Sequence, residues 1–384
     1  MKIVIAPDSF KESLTAMEVA NEIERGFRTV LPNAEYIKIP VADGGEGTVQ
    51  SMVDATDGTI IKLNVTGPLG HKVQAFYGIL GVGYQGDKKT AVIEMAAASG
   101  LHLVAEDKRN PLMTTSYGTG ELIVDALNRG IEHIIIGLGG SATNDGGAGM
   151  AQAIGAHLLN SAGKAISPGG AALTELVSID LTDLHPLIKA CSFEVACDVN
   201  NPLCGNKGAS AIFGPQKGAT PEMVEQLDNA LKHYADIIAC CAIQDNRDYA
   251  GAGAAGGMGL GVMAFLGAEL KPGIDIVMET VNLAGLAKGA DLVITGEGRL
   301  DSQTLHGKTP MGVAGVAKAQ GISVIAIAGC VSDDANVLLE HGIDALFSIT
   351  PRALPLAEVL SNAKHNLYST AKNIAALYAL SSAK

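Results

Sequence analysis

Short apolar segments alternate with helical patterns along most of this chain of 384 residues, and this alternation limits the fold more than any other feature. Lys2–Ala6 and residues 131–137 are typical of buried strands, and Thr15 with Glu18 forms the capping-box pattern that begins a helix. Strands that alternate with helices indicate βαβ units and a mostly parallel sheet. We therefore predict an α/β fold with a doubly wound domain.

A second pattern interrupts the first. Residues 59–104 alternate apolar and polar positions between turn signals at Gly67-Pro68 and Gly86-Asp87, which is typical of antiparallel hairpins. We predict a second α/β domain, partly antiparallel and inserted into the doubly wound one. The predicted doubly wound domain comprises 1–58, 114–150 and 282–384, and the predicted inserted domain comprises 59–113 and 151–281. No repeat or charged linker marks these boundaries.

The acidic composition excludes several classes of partner. Forty acidic residues against 27 basic ones give a net charge of −13, which repels nucleic acids and anionic membranes. Residues 250–268 are uncharged, but Gly and Ala dominate them, whereas a membrane span needs mostly large apolar side chains. The apolar segment at the N-terminus is too short for a signal peptide. We expect a cytoplasmic protein without nucleic-acid or membrane partners.

Polar residues and glycines follow four of the predicted strands. The candidates in these loops are Asp8, Ser9 and Lys11; Asp43 and Gly44; Gly139, Gly140, Ser141 and Asn144; and Glu297, Arg299 and Asp301. Ligands of open α/β sheets bind at the carboxyl ends of strands, so these loops favour one shared site. Each loop also has a structural interpretation, because Asp43 fits a helix cap and glycines form turns.

Familiar phosphate-binding motifs match only in part. Gly137-x-Gly139-x-x-Ala142 resembles a dinucleotide fingerprint, but the next strand-like segment, Ala156–Asn160, ends without the acidic residue that binds ribose. Gly307-Lys308-Thr309 matches the end of a Walker A loop, but Ser302 stands where that motif needs glycine. A nucleotide or phosphate site built from other glycine loops remains, with an NAD(P)-dependent dehydrogenase of a small hydroxy acid as the alternative.

Phosphoryl transfer needs donors to phosphate, cations that neutralise charge, and carboxylates that bind Mg²⁺ or accept a proton. For the nucleotide we predict two glycine-rich stretches: Gly139, Gly140 and Ser141 with Asn144, and Gly253, Gly256 and Gly257. As catalytic residues we predict Asp198 as the base, Asp8, Lys11 and Arg299, although Asp8 and Asp198 could exchange roles. Asp8 and Asp301 are the candidate metal ligands, and Lys217 and Lys308 are further cations. Substrate-binding candidates are Ser9, Asp43, Gly44, Asn200, Glu297 and Asp301.

Seven sequence blocks are similar to those of the bacterial type I glycerate kinases. They are APDSFKES (6–13), VADGGEGT (41–48), GLGGSATNDGGAGM (137–150), ACDVNNPLCG (196–205), FGPQKGA (213–219), GAGAAGGMG (251–259) and TGEGRLDSQT (295–304). The blocks occur in order from Met1 almost to the C-terminus, so the resemblance covers essentially the whole chain.

This resemblance implies a cytoplasmic enzyme of organic acid catabolism that phosphorylates D-glycerate with ATP and Mg²⁺, giving 2-phosphoglycerate. It also implies two α/β domains, one of them Rossmann- or flavodoxin-like, with the active site in the cleft between them. D-glycerate is then the small-molecule partner, and a homo-oligomer is compatible with the sequence. The resemblance assigns no residue roles, so those proposed above rest on chemistry alone.

Overall fold

The structure, a computed structural model, describes residues 1–81, 88–241 and 244–382. The strands in these ranges are β1 (Lys2–Ile5), β2 (Glu35–Lys38), β3 (Thr59–Thr66), β4 (Lys72–Ile79), β5 (Thr90–Glu94), β6 (His133–Gly137), β7 (His157–Leu159), β8 (Ser178–Asp180), β9 (Ser192–Ala196), β10 (Glu269–Lys271), β11 (Leu292–Thr295), β12 (Arg299–Leu300), β13 (Ser323–Ala328), β14 (Cys330–Val331) and β15 (Ala345–Ser348).

The α-helices in the same ranges are α1 (Ala16–Val30), α2 (Thr48–Ala55), α3 (Ala96–Ser99), α4 (Tyr117–Asn128), α5 (Ala148–Ala153), α6 (Ala209–Phe213), α7 (Pro221–Cys240), α8 (Ala254–Leu266), α9 (Gly273–Thr280), α10 (Leu283–Ala287), α11 (Thr309–Lys318), α12 (Leu356–Ser361) and α13 (Ala363–Ser382). The predicted capping box is confirmed, because the Thr15 side chain accepts from Glu18 N–H and the Glu18 carboxylate accepts from Thr15 N–H.

The chain divides into two compact units. The first unit comprises Met1–Asp43, Gln50–Asp57 and Ile274–Lys384. Its five strands are all parallel, in the order β15-β13-β11-β1-β2. The direction of strand addition reverses between β1 and β11, which is the doubly wound order of flavodoxin-like folds. The predicted doubly wound architecture is therefore confirmed.

One face of this sheet is covered by α1 and α13. Ile23 and Phe27 of α1 and Leu367 of α13 are fully buried in the same apolar cluster as Ile3 and Ile294 of the strands. The close contact between the two helices needs glycine in α1, because a Cβ at Gly26 would lie 2.7 Å from the Ala371 Cβ.

The second unit comprises Gly44–Val49 and Gly58–Gly273. Its main sheet has six strands in the order β10-β9-β6-β5-β4-β3. Strands β3, β4 and β5 pair antiparallel, which confirms the predicted hairpin at Gly67-Pro68, whereas β5, β6, β9 and β10 pair parallel. The turn predicted at Gly86-Asp87 lies outside the described residues.

The observed units correct the predicted domain division for residues 114–150. Strand β6 pairs with β5 and β9 of the second unit, not with the strands from the chain ends. An apolar strand that is buried on both faces carries no signal for the particular parallel sheet it joins. The observed boundaries also move residues 44–49 to the second unit and 274–281 to the first.

One local prediction is wrong near the candidate site. Helix α2 begins at Thr48, so Asp43 lies five residues before the first helical residue and does not cap the helix. Pro355 is the N-cap residue of the short helix α12. Residues 250–268 form α8 with flanking turns, and across the described ranges of the chain no helix is long and apolar enough to cross a membrane.

Candidate active site

Two loops of the first unit place carboxylates at the carboxyl ends of β1 and β11, where the strand order reverses. The Asp8 N–H donates to Gly296 O at 2.8 Å, which joins the two loops. The Asp8 carboxylate accepts from Thr309 Oγ1 at 2.7 Å and from the Ser9 N–H at 2.6 Å. This reversal point is where doubly wound folds bind ligands.

The carboxylates of Asp8, Asp43 and Glu297 are here called the Asp8 cluster, and charges within the cluster raise the proton affinity of Asp8 and Glu297. Burial raises the pKa of Asp8 to about 6, and the charge of Asp43 adds to the effect while the Thr309 hydrogen bond opposes it. Burial also raises the pKa of Glu297, with a contribution from the charge of Asp8, although Thr304 and Lys308 oppose this shift. Clustered and partly desolvated carboxylates are a site for a cation or a proton.

The Gly307-Lys308-Thr309 segment forms the N-terminus of α11. Lys308 is the N-cap residue and Thr309 the first residue of the helix, so this segment has the position that it has in a P-loop although the full motif is absent. The Lys308 Nζ lies 3.5 Å from Glu297 Oε2 and 3.9 Å from Asp301 Oδ1. A cation and the positive end of a helix dipole therefore adjoin the Asp8 cluster.

Other predicted residues of the first unit are engaged elsewhere. Asp301 caps the short 3₁₀ helix Ser302–Leu305, and it pairs with Arg299 at 3.3 Å. The Arg299 side chain is 67% exposed, and its Nε donates to Ser332 Oγ. Lys11 is exposed and lines an apolar cavity of the same unit.

The second unit contains a cavity of about 230 Å³ at the carboxyl ends of β6 and β9. Its lining includes Gly139, Gly140 and Ser141 after β6, Asp198 after β9, and Lys217. Gly44 also lines the cavity. Asn200, two residues after Asp198, is exposed and is not among the lining residues. The structure thus brings together a glycine loop, a carboxylate and a lysine that the sequence analysis predicted separately.

Lys217 is the most unusual residue of this cavity. Its side chain is among the largest that are fully buried, at 2% exposure. The Nζ donates to Ser141 Oγ at 2.9 Å and to Thr143 O at 2.7 Å, which leaves the third of its donors without a partner among these contacts. Burial lowers the pKa of Lys217 to about 7, and the charge of Asp145 opposes this shift. A lysine poised near neutral pH is a strong candidate for binding an anion.

Asp198 is exposed beside this lysine's cavity. Its Oδ1 accepts from the Gly273 N–H at 2.9 Å, which holds the carboxylate in place. Asp145, in contrast, is fully buried and accepts from Ser116 Oγ and from the N–H groups of Ser116, Gly147 and Gly149. Asp145 therefore has a structural role, and Asp198 remains the candidate base.

The second predicted glycine stretch packs against neighbouring backbone. A Cβ at Gly256 would lie 2.0 Å from Thr143 O, and one at Gly253 would lie 2.2 Å from Pro202 O. A Cβ at Gly257 would lie 2.9 Å from Leu203 Cδ1. At Gly139, in contrast, the nearest atom to such a Cβ is 3.8 Å away. The second stretch is therefore closed by packing and Gly139 of the first is open, whereas Asn144 of the first stretch is buried and donates to Ser210 Oγ.

We expect Gly256→Ala to destabilise the protein much more than Gly163→Ala does. The two glycines have nearly equal φ angles of +72° and +70°, but only Gly163 has open space around it. Gly163→Ala should cost about 1 kcal/mol for its φ angle, and Gly256→Ala more than about 3 kcal/mol because of the clash. Denaturant unfolding of both variants measures the difference, and equal losses would contradict the packing role of Gly256.

The fold, with charged residues at the carboxyl ends of the parallel strands, is typical of an α/β enzyme. Residues 3–379 match the model of the glycerate kinase family, and the chain belongs to this family. It is 59% identical to the glycerate kinase of Bacillus subtilis (strain 168) over 376 residues, which cover 98% of this chain and 97% of that protein. It is 57% identical to the glycerate 2-kinase of Escherichia coli (strain K12) over 380 residues, 99% and 98% of the two chains.

The fold is similar to a solved structure over its full length. The crystal structure described as glycerate kinase 2 from Salmonella typhimurium LT2 has a TM-score of 0.92 and 56% sequence identity, with 100% of each chain covered. The resemblance found in the sequence is thus confirmed, and the chain is a kinase that transfers phosphate to an alcohol group of a small molecule. The dehydrogenase alternative has no support in these comparisons.

Proposed function

We propose that this glycerate kinase phosphorylates the 2-hydroxyl of D-glycerate, with ATP as donor and Mg²⁺ as metal. The observation that carries the proposal is the cavity of the second unit, where a buried cation, open backbone and a carboxylate line one space of about 230 Å³. The name of the Escherichia coli relative, glycerate 2-kinase, supports the position of transfer. The six free cysteines support a reducing, cytoplasmic location.

The cavity of the second unit binds D-glycerate in this proposal. Lys217 Nζ and the backbone at Gly139 and Gly140 bind the carboxylate, and Asp198 accepts the hydroxyl proton late in the transfer. This assignment differs from the sequence-based expectation that Gly139–Ser141 holds the nucleotide. We prefer glycerate because the candidate base lines the same cavity and because the space suits a molecule much smaller than ATP.

The first unit binds the phosphates and Mg²⁺ in this proposal. Mg²⁺ prefers oxygen ligands and in kinases takes one or two carboxylates together with substrate phosphates. Asp8, Glu297 and the Thr309 hydroxyl supply such oxygens, although within the described part of the chain no group of three His, Cys, Asp or Glu residues could hold a metal by itself. Bound Mg²⁺ would supply charge neutralisation at the phosphates. Lys308 adds a cation, and the N-terminus of α11 adds the positive end of its helix dipole.

An assay of ADP release tests the proposed function. The purified protein with ATP and Mg²⁺ should release ADP when D-glycerate is added, and L-glycerate should give much less. Coupling the product to enolase shows the position of the new phosphate, because enolase consumes 2-phosphoglycerate directly. NAD(P)⁺ reduction in place of ADP release, or a product that enolase does not consume, would refute the corresponding part of the proposal.

We expect Asp8→Asn to raise the Mg²⁺ concentration needed for half-maximal activity by at least about 10- to 100-fold, since even the loss of a group that only supports a metal ligand weakens binding by this order. Asp301→Asn is the matched control, because Asp301 caps a 3₁₀ helix and asparagine preserves a cap. The control should change the Mg²⁺ dependence little. A larger effect of Asp301→Asn would move the metal site to Asp301, which the sequence also suggested.

A further inference from the structure

The first unit contains an apolar cavity of about 290 Å³ that the proposed chemistry does not use. Its walls are formed mainly by apolar side chains: Phe10, Ile349, Leu354, Leu356, Val359 and Leu360. The exposed Lys11 also lines it. D-glycerate, which is polar at every carbon, gains little from such walls. The other substrate of a kinase has a flat aromatic base, whose faces stack on apolar side chains, and an anionic tail.

The cavity shares its loops with the Asp8 cluster. Phe10 and Lys11 follow Asp8 in the loop after β1, and Gly298 follows Glu297 in the loop after β11. The loops touch, because a Cβ at Gly298 would lie 3.4 Å from the Lys11 N atom. Gly329 and Thr350, after β13 and β15, complete this edge. The cavity therefore adjoins the carboxylates at the carboxyl edge of one parallel sheet.

Two hydroxyl groups of the lining already have partners. Thr350 Oγ1 donates to Gly329 O at 2.7 Å, and Ser13 Oγ donates to Phe10 O at 2.9 Å. The walls consequently offer apolar contact more than polar recognition. Flat aromatic rings gain most from such contact, and the Lys11 ammonium adds attraction for an anion at the edge of the cavity.

We propose that this cavity binds the purine base of the nucleoside triphosphate donor, with Lys11 close to its phosphates. The inference rests on the proposed function, and it assigns the base and the Mg²⁺-bound phosphates to neighbouring parts of one unit. It also gives Lys11, which the sequence analysis predicted as a catalytic residue, a place beside the nucleotide phosphates.

The chain contains no tryptophan, so a single introduced tryptophan reports on this cavity alone. Leu356 lines the cavity and is 68% exposed, so Leu356→Trp should fold. We expect adenosine and ATP to change its fluorescence and inorganic tripolyphosphate to leave it unchanged. The matched control is Leu377→Trp, in α13 at 61% exposure and outside the cavity lining, which should respond to none of the three.

A second variant fills the cavity. Val359→Trp should raise the KM for ATP by about tenfold or more, the order expected when stacking on a base is lost, and leave the KM for D-glycerate and inhibition by tripolyphosphate unchanged. The assignment of the cavity to the base would be refuted if adenosine did not change the fluorescence of Leu356→Trp, or if Val359→Trp had the wild-type KM for ATP. If the base site is overturned but the wild-type protein still releases ADP in the same assays, the proposed function stands. If the wild-type protein releases no ADP, the proposed function itself is refuted.

Discussion

Lys217→Met is expected to lower kcat/KM for D-glycerate by about 10²- to 10³-fold, or about 3 to 4 kcal/mol, the usual cost of removing one partner from a buried charged contact. Methionine has nearly the same length and fills the same buried space, but it offers no donor to the cavity, to Ser141 or to Thr143. Most of the loss should appear as a higher KM for D-glycerate, with the KM for ATP changed little. Steady-state kinetics with each substrate varied in turn measures both effects.

The pH dependence of the wild type gives an independent test of Lys217. The ammonium form binds the anion, and the pKa of about 7 means that this form is lost as the pH rises through neutrality. Because kcat/KM reports the free enzyme, its value for D-glycerate should fall above about pH 7, and this fall should vanish in Lys217→Met. Lys207→Met, an exposed lysine of the same unit, should behave as wild type. A flat wild-type profile from pH 7 to 9 would count against the assignment.

Asp198→Asn should lower kcat by about 10²- to 10⁴-fold, the range of general acid–base catalysis, and leave nucleotide binding intact. Asparagine keeps the size of the side chain and can still accept from the Gly273 N–H, but it cannot take the hydroxyl proton. Rapid-mix or steady-state measurement of kcat, with nucleotide binding measured separately, distinguishes lost chemistry from lost affinity.

Asp228→Asn is the matched control for this variant. Asp228 also accepts from a backbone N–H, that of Gly205 at 3.0 Å, in the same unit but outside the cavity lining. The control should keep nearly full activity. If Asp198→Asn retains a tenth or more of the wild-type kcat, Asp198 is not the base, and Asp8 becomes the candidate.

The sequence predicted the elements of the fold better than their assembly. Apolar segments such as Lys2–Ile5 and capping patterns such as Thr15 with Glu18 are local signals, and the structure confirms both. The sheet that β6 joins depends on its neighbours β5 and β9, which are distant in sequence. A buried parallel strand looks the same in either sheet, so composition and periodicity could not place it.

In the candidate site too, local signals were readable from the sequence and tertiary packing was not. Asp8 and Glu297 follow strands, and the loop rule was enough to predict that they lie close together. The sequence could not show that Gly253 and Gly256 are packing residues and not phosphate-binding residues. Glycine is needed wherever another group approaches the backbone closely, and that group can be a second backbone segment or a phosphate. Lys217 was only one of four candidate cations, since its burial arises from tertiary packing around the cavity.

The pairing of β1 with β11 affects the order in which the two units can fold during synthesis. Ile3 lies opposite Leu292, so the central pair of the first sheet joins residues made near the start and near the end of synthesis. Gly58–Gly273 of the second unit is complete before Leu292 is added. We expect the second unit to fold during translation while the edge of β1 that pairs with β11 stays open to chaperones until the last quarter of the chain is made.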